Sequence, residues 1–137
     1  MSKEIISELQ NTTAELMQVL SSFSQEQFNA VPFEGSWTAA RLGEHLHKSY
    51  NVAKLLYGPV KTTERDPAEK VKSIKEALLN FDTKMKSPDF IVPENKLYDK
   101  SILINLLKDS INKIKHAAET LDLGETCTAF AYPDLEK

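Results

Sequence analysis

The sequence has few of the residues on which common structural and catalytic motifs depend. It contains one cysteine, so no disulfide bond can form within the chain. No apolar run approaches the ~18–20 residues that a membrane span needs, and the N-terminus lacks the apolar core of a signal peptide. Basic residues number 17 and acidic residues 20, with no block of one sign, which argues against nucleic-acid binding. These absences predict a cytoplasmic protein that binds neither membranes nor nucleic acids.

Several catalytic signatures are also absent. The sequence has no His-Glu-x-x-His or Cys-x-x-Cys motif, no Gly-x-Ser-x-Gly elbow and no glycine-rich phosphate loop. Cys127 has no histidine near it in sequence, so we interpret it as a structural residue rather than a nucleophile. The remaining candidates for catalysis or metal binding are the three histidines, His45, His47 and His116.

The 137 residues have the composition of one globular domain, with 41% hydrophobic and 27% charged residues. Apolar residues recur at three- and four-residue spacing in four long segments, and glycine and proline fall mostly between them. The predicted helices cover residues 3–22, 38–58, 67–84 and 100–121, with one short capped turn after Ser24. No segment shows convincing strand alternation. The sequence therefore predicts an all-α, up-and-down helical bundle spanning residues 1–137 as a single domain.

The second predicted helix carries the most informative histidine. Its predicted buried stripe consists of Leu42, Leu46, Ser49, Ala53 and Leu56. At about 100° per residue, His45 lies on the shoulder of that stripe, whereas His47 and, on the last helix, His116 should face water. His45 is therefore either a metal ligand or proton-transfer group, or a half-buried histidine hydrogen-bonded to a neighbour.

The segment that leads into this helix resembles a family signature. It reads Pro32-Phe33-Glu34-Gly35-Ser36-Trp37-Thr38, and His45-Leu46 follows eight residues after Trp37. This pattern resembles that of DinB-like proteins, bacterial four-helix bundles related to bacillithiol-dependent transferases and to metal-dependent hydrolases. The order of the helices along the whole chain is similar as well.

The resemblance implies a divalent metal, often nickel or zinc, held by three histidines. One ligand matches His45, and the other two would come from a His-x-x-x-His pair on a final helix. That pair is absent, because the sequence ends at Lys137 where such a helix would begin. We therefore expect a domain shortened at its C-terminus with an incomplete metal site, so that absence of metal is equally compatible with the sequence.

A missing helix would leave apolar surface uncovered. A second copy of the chain would cover it in a homodimer, which we expect because many relatives are dimeric. The alternatives are a shortened form of a longer protein, or a compact monomer in which the Pro67 helix and the Phe90 loop fill the vacancy.

Two functions follow from this pattern. The first is a metal-dependent thiol transferase or hydrolase whose metal site is incomplete in this chain, with His45 as the surviving ligand. The second is a non-catalytic helical module, possessing no metal, that binds a small molecule or acts in a stress response. Thr12, Ser49 and Ser110 lie within the apolar stripes, where they either line a small polar pocket or bond to the preceding helical turn.

Overall fold

Side-chain caps begin the long helices. In a computed structural model, which describes residues 2–129, Ser2, Thr38 and Asp99 each accept a hydrogen bond from the backbone N–H three residues later. Ser24 and Gln27 form the predicted capping box of a short helix. The α-helices are α1 (Lys3–Ser22), α2 (Gln25–Phe28), α3 (Ala39–Tyr50), α4 (Val71–Leu78) and α5 (Lys100–Thr120), and two 3₁₀-helices span Asn51–Tyr57 and Asp89–Ile91. The described chain is thus predominantly helical, in agreement with the sequence prediction.

Helix α5 lies at the centre of the packing, because it contacts α1, α3 and the first 3₁₀-helix. The apolar spacing of α5 predicts a buried stripe of Leu103, Leu106, Leu107, Ser110, Ile114, Ala117 and Leu121. Leu103, Leu107, Ser110 and Ala117 are buried as predicted, Ile114 and Leu121 are partly buried, and Leu106 is 43% exposed. Phe28, from the short helix α2, is fully buried among these helices. The main core cluster consists of Leu20, Phe28, Ala40, Tyr98, Leu103, Ile104, Leu107 and Ile111.

The predicted buried stripe of this segment is correct in part. Leu46 packs against the core and Ala53 is buried, as predicted, whereas Leu42 and Leu56 are exposed. Ala40 and Gly43, outside the predicted stripe, are buried, so the buried face of α3 is rotated away from Leu42. A Cβ atom built on Gly43 would lie 3.3 Å from Leu103 Cδ2, so α3 and α5 pack closely at the small residues. Small side chains contribute little to a hydrophobic stripe, although they decide how closely two helices can approach.

The third predicted helix is shorter and more exposed than expected. It spans Val71–Leu78 rather than residues 67–84, although the Asp66 carboxylate does accept a hydrogen bond from the Ala68 N–H at 2.9 Å. The apolar spacing predicts that Val71, Ile74, Leu78 and Phe81 are buried, but no residue of the helix is buried, and Phe81, which follows it, is 88% exposed. Helix α4 therefore does not pack into the core, contrary to what the compact-monomer alternative requires. The Asp89–Ile91 helix, in contrast, does pack on α3.

A two-stranded antiparallel pairing, absent from the prediction, joins two distant parts of the chain. Strand β1 (Val60–Lys61) pairs with β2 (Thr126–Cys127), with Val60 opposite Cys127. The Cys127 thiol donates to the Leu55 carbonyl at 3.3 Å, which supports its interpretation as a structural residue. Two-residue strands are too short to show a period of two, so the sequence carried no signal for them.

No helix within residues 2–129 combines the length and the apolar character that crossing a membrane requires.

Candidate functional site

Trp37 is the centre of the candidate site. A turn precedes it, in which the Ser36 N–H donates to the Phe33 carbonyl at 3.1 Å and Gly35 has φ 79°, a left-handed value that favours glycine. The Trp37 ring contacts the His45 imidazole, with 5.2 Å between ring centroids, and the Arg41 guanidinium, whose Cζ lies 5.5 Å from the ring centroid. One turn of α3 separates Arg41 from His45, so both side chains lie on the same helix face.

His45 is half-buried, as its position on the shoulder of the helix predicts. Its Nδ1 lies 2.9 Å from the Ile91 carbonyl oxygen. A carbonyl oxygen can only accept, so Nδ1 carries the proton and Nε2 presents a lone pair. In the described part of the chain, Nε2 has no hydrogen-bond partner. A histidine oriented by a backbone carbonyl in this way has the form that metal ligands usually take.

His47 does not face water, contrary to the prediction. Its Nδ1 lies 2.6 Å from Ser110 Oγ, its Nε2 lies 3.3 Å from Asn51 Nδ2, and the Ser110 hydroxyl donates to the Leu106 carbonyl at 3.1 Å. Because Ser110 has one hydroxyl proton, Nδ1 donates to Ser110 and Nε2 accepts from Asn51. The imidazole therefore does not act as a base toward Ser110, and the two residues do not form an activated nucleophile. The corrected phase of α3 explains this burial.

His116 is exposed on α5, as predicted, and stacks on Tyr57 with 6.2 Å between ring centroids.

Across residues 2–129 no three histidine, cysteine or acidic side chains lie close enough together to hold a metal ion. Both ring nitrogens of His47 have protein partners, which leaves Nε2 of His45 as a single donor. The donor set of the described residues therefore does not fit the metal that the resemblance implies, and His45 as a ligand stays a prediction.

The hydroxyl groups in the apolar stripes bond to their own helices. Ser49 donates to the His45 carbonyl at 2.8 Å, and Ser110 to that of Leu106. Thr12 is exposed, whereas its neighbour Thr13 is buried and donates to the Leu9 carbonyl at 2.7 Å. Of the two alternatives, bonding to the preceding turn is thus the correct one for Ser49 and Ser110.

A solvent-open groove of about 1150 Å³ lies against Trp37. The C-terminal end of α1, the loop before α3 and the segment after α4 form its walls. Its lining includes no acidic residue of the described chain, and its one basic residue is Lys84. The apolar lining residues are Phe23, Ala30, Pro32, Trp37, Ala39, Leu42 and Met85.

Arg41 is the residue of the site that the sequence analysis did not single out. Its Nε atom is buried, and no hydrogen-bond partner for it lies within residues 2–129. Among those residues its guanidinium makes no ion pair either, although it stacks on Trp37. Its position, four residues after Trp37 and four before His45, was the available signal. That Arg41 Nε lacks a hydrogen-bond partner among the described residues can be seen only in the folded structure.

Burial raises the pKa of both the Tyr50 and the Tyr98 hydroxyl. The Tyr98 hydroxyl also donates to the Glu94 carbonyl at 3.1 Å. Since a raised pKa favours the neutral phenol, both tyrosines stay protonated at neutral pH and do not serve as bases there. At the surface nearby, the 2.9 Å ion pair between Glu94 and Lys96 lowers the pKa of the glutamate and raises that of the lysine.

No protein-family model, no curated protein and no solved structure matches this chain.

Proposed function

We propose that this chain is a DinB-like helical domain that binds a small, largely apolar molecule in the groove beside Trp37, without catalysing its conversion. The groove carries the proposal, because ligand sites are typically concave, lined mainly by apolar and aromatic side chains, and a few hundred to about 1000 Å³ in volume. At about 1150 Å³ the groove has room for a molecule of that kind.

The DinB-like assignment is supported by local structure at the motif. Thr38 caps α3, Trp37 precedes the cap, and His45 is half-buried one turn beyond Arg41. The absence of catalysis is supported by the state of the polar groups. His47 directs its proton toward Ser110, and the buried tyrosines stay protonated at neutral pH.

The groove is tested with decanol, a neutral apolar probe, and with the fluorescence of Trp37, which is the sole tryptophan of the chain. We expect a saturable change of emission in the wild type. Leu42→Glu places a charge on the groove wall, so it should weaken binding by about tenfold or more, since burying one leucine side chain is worth about 1.5–3 kcal/mol.

Leu97→Glu is the matched control, because Leu97 is 82% exposed and does not line the groove. It should bind decanol as the wild type does. Circular dichroism establishes that both variants fold. An unsaturable fluorescence change in the wild type, or equal affinity in the Leu42→Glu variant, would contradict the proposal.

A metal-dependent thiol transferase or hydrolase is the second candidate. One observation favours it: the Ile91 carbonyl holds His45 in the tautomer that leaves Nε2 unprotonated and without a partner in the described chain. Since three protein ligands are usual for catalytic zinc, two further ligands would have to come from a second copy or from outside the described residues.

Elemental analysis of tag-free protein decides between the two candidates. The binding proposal predicts nickel and zinc far below one ion per chain, in the wild type and in the His45→Ala variant alike. Near-stoichiometric metal that is lost in His45→Ala and kept in His116→Ala, the exposed control, would favour the transferase or hydrolase instead.

Homodimerisation stays a prediction. The apolar side chains that a second copy would cover include Val71, Leu78, Leu79, Phe81 and Met85, all exposed on or after α4. The molar mass of the same sample, by light scattering, should then be twice the chain mass of 15.4 kDa.

A further inference from the structure

We infer that the molecule bound beside Trp37 is an anionic amphiphile, namely a carboxylate with an apolar body, and that Arg41 binds its carboxylate group. This inference rests on the proposed function, since it names the class of ligand for the same groove. Three features carry it: the unsatisfied guanidinium, the shared contact with Trp37, and the charge of the groove lining.

The guanidinium of Arg41 lacks the partners that a half-buried arginine normally has. Nε is cut off from water and has no acceptor in the described part of the chain, so a ligand cannot reach it either. The terminal nitrogens retain access to solvent and have no acceptor among the described residues, and they are the donors that a ligand can reach. A buried charged donor without an acceptor is destabilising. Stacking on Trp37 positions the cation but satisfies none of its N–H groups.

Arg65, the other arginine of the chain, shows the contrast. It donates to the Asp66 carbonyl at 3.0 Å and lies 3.9 Å from the Glu69 carboxylate, on the surface. Arg41 therefore stands apart as the arginine whose acceptor has still to be supplied. A carboxylate can accept two parallel hydrogen bonds from the two terminal nitrogens of a guanidinium, which are the ones that solvent reaches in Arg41.

Arg41 does not itself line the groove, and Trp37 is the residue that connects the two. Its indole lines the groove and at the same time lies 5.5 Å from Arg41 Cζ. A ligand whose head group binds Arg41 can therefore place its apolar body against the same indole and along Phe23 and Leu42. The carboxylate would then contact the guanidinium, and the apolar chain would contact apolar side chains.

The charge of the lining selects the sign of the head group. Lys84 lines the groove, and no acidic residue of the described chain does. Glu44, on α3, lies 3.8 Å from Lys48 rather than in an ion pair with Arg41. An ammonium head group would be repelled by Arg41 and Lys84, and a neutral one would leave the guanidinium unsatisfied. A carboxylate is complementary to both cations.

The experiment compares three probes with the same apolar chain, decanoate, decanol and decylamine, below the concentrations at which they aggregate. Calorimetry and Trp37 fluorescence give their affinities. In the wild type we expect decanoate to bind at least about tenfold more tightly than decanol, and decylamine most weakly. Arg41→Gln should bring the decanoate-to-decanol ratio close to one, with decanol affinity unchanged.

Two further variants serve as controls for the loss of charge and for the loss of the guanidinium geometry. Arg65→Gln removes the same charge from the surface, so it should retain the wild-type ratio. Arg41→Lys keeps the charge without the planar fork, and we expect an intermediate ratio. This variant also covers the case in which Arg41→Gln fails to fold.

The outcomes separate the two proposals. If decanol binds in the groove and decanoate binds no more tightly, the inference is overturned and the proposed function stands. If a preference for decanoate persists in Arg41→Gln, the role of Arg41 is overturned. If no probe binds, the proposed function itself fails.

Discussion

Replacing Phe28 with alanine is expected to lower the free energy of unfolding by about 3–5 kcal/mol, the usual cost of truncating a buried phenylalanine. Phe28 has no exposed surface, and the short helix α2 carries it into the core beside Leu20 and Leu103. Domains of this size are stable by about 5–15 kcal/mol, so the variant would lose a large part of its stability.

Urea unfolding followed by circular dichroism measures this loss. Phe33→Ala is the matched control, because Phe33 lies five residues away and is 70% exposed, so its truncation should change stability little. Equal stability of the two variants would mean that α2 does not pack into the core.

The second large effect is expected at Gly43, where α3 packs closely on α5. A valine there would add a Cβ atom and two methyl groups at a position where a Cβ alone would already lie 3.3 Å from Leu103 Cδ2. Overpacking of this kind costs about 1–3 kcal/mol, and a β-branched residue adds a loss of helix propensity. We expect Gly43→Val to lower the free energy of unfolding by about 2 kcal/mol or more.

Gly43→Ala provides a graded comparison. Alanine is favoured over glycine within a helix by about 1 kcal/mol, and this gain offsets the crowding of a single methyl group against Leu103. The alanine variant should therefore stay close to the wild type in urea unfolding. A valine variant as stable as the alanine variant would show that the two helices are not in close contact at this point.

Local signals in the sequence predicted the starts of α1, α2, α3 and α5 to within about one residue, but not that of α4, which begins at Val71 rather than at residue 67. The caps at Ser24 and Thr38 depend on side chains within three residues, so they can be identified without knowledge of the tertiary structure. The face of α3 could not be predicted in this way. Ala40 and Gly43 carry little hydrophobic signal, yet they are buried because only small residues allow the close packing on α5.

Helix α4 and the candidate site likewise depend on tertiary contacts that local sequence signals do not predict. The apolar pattern of α4 predicted burial, but burial also requires a packing partner, and none of its residues is buried. At the site, the motif pointed to Trp37 and to the half-buried His45. The importance of Arg41 arises from the acceptor that it lacks, a property of the folded structure.

The two walls of the groove differ in how firmly they are held. Trp37, Ala39 and Leu42 belong to the entry and first turns of α3, which packs closely on α5. Lys84 and Met85 belong to the segment after α4, where nearly every side chain is exposed. A wall with few buried contacts can move outward at little energetic cost. Selectivity for ligand length or bulk should therefore be weak on that side, and discrimination between ligands would depend on the rigid wall that carries the indole.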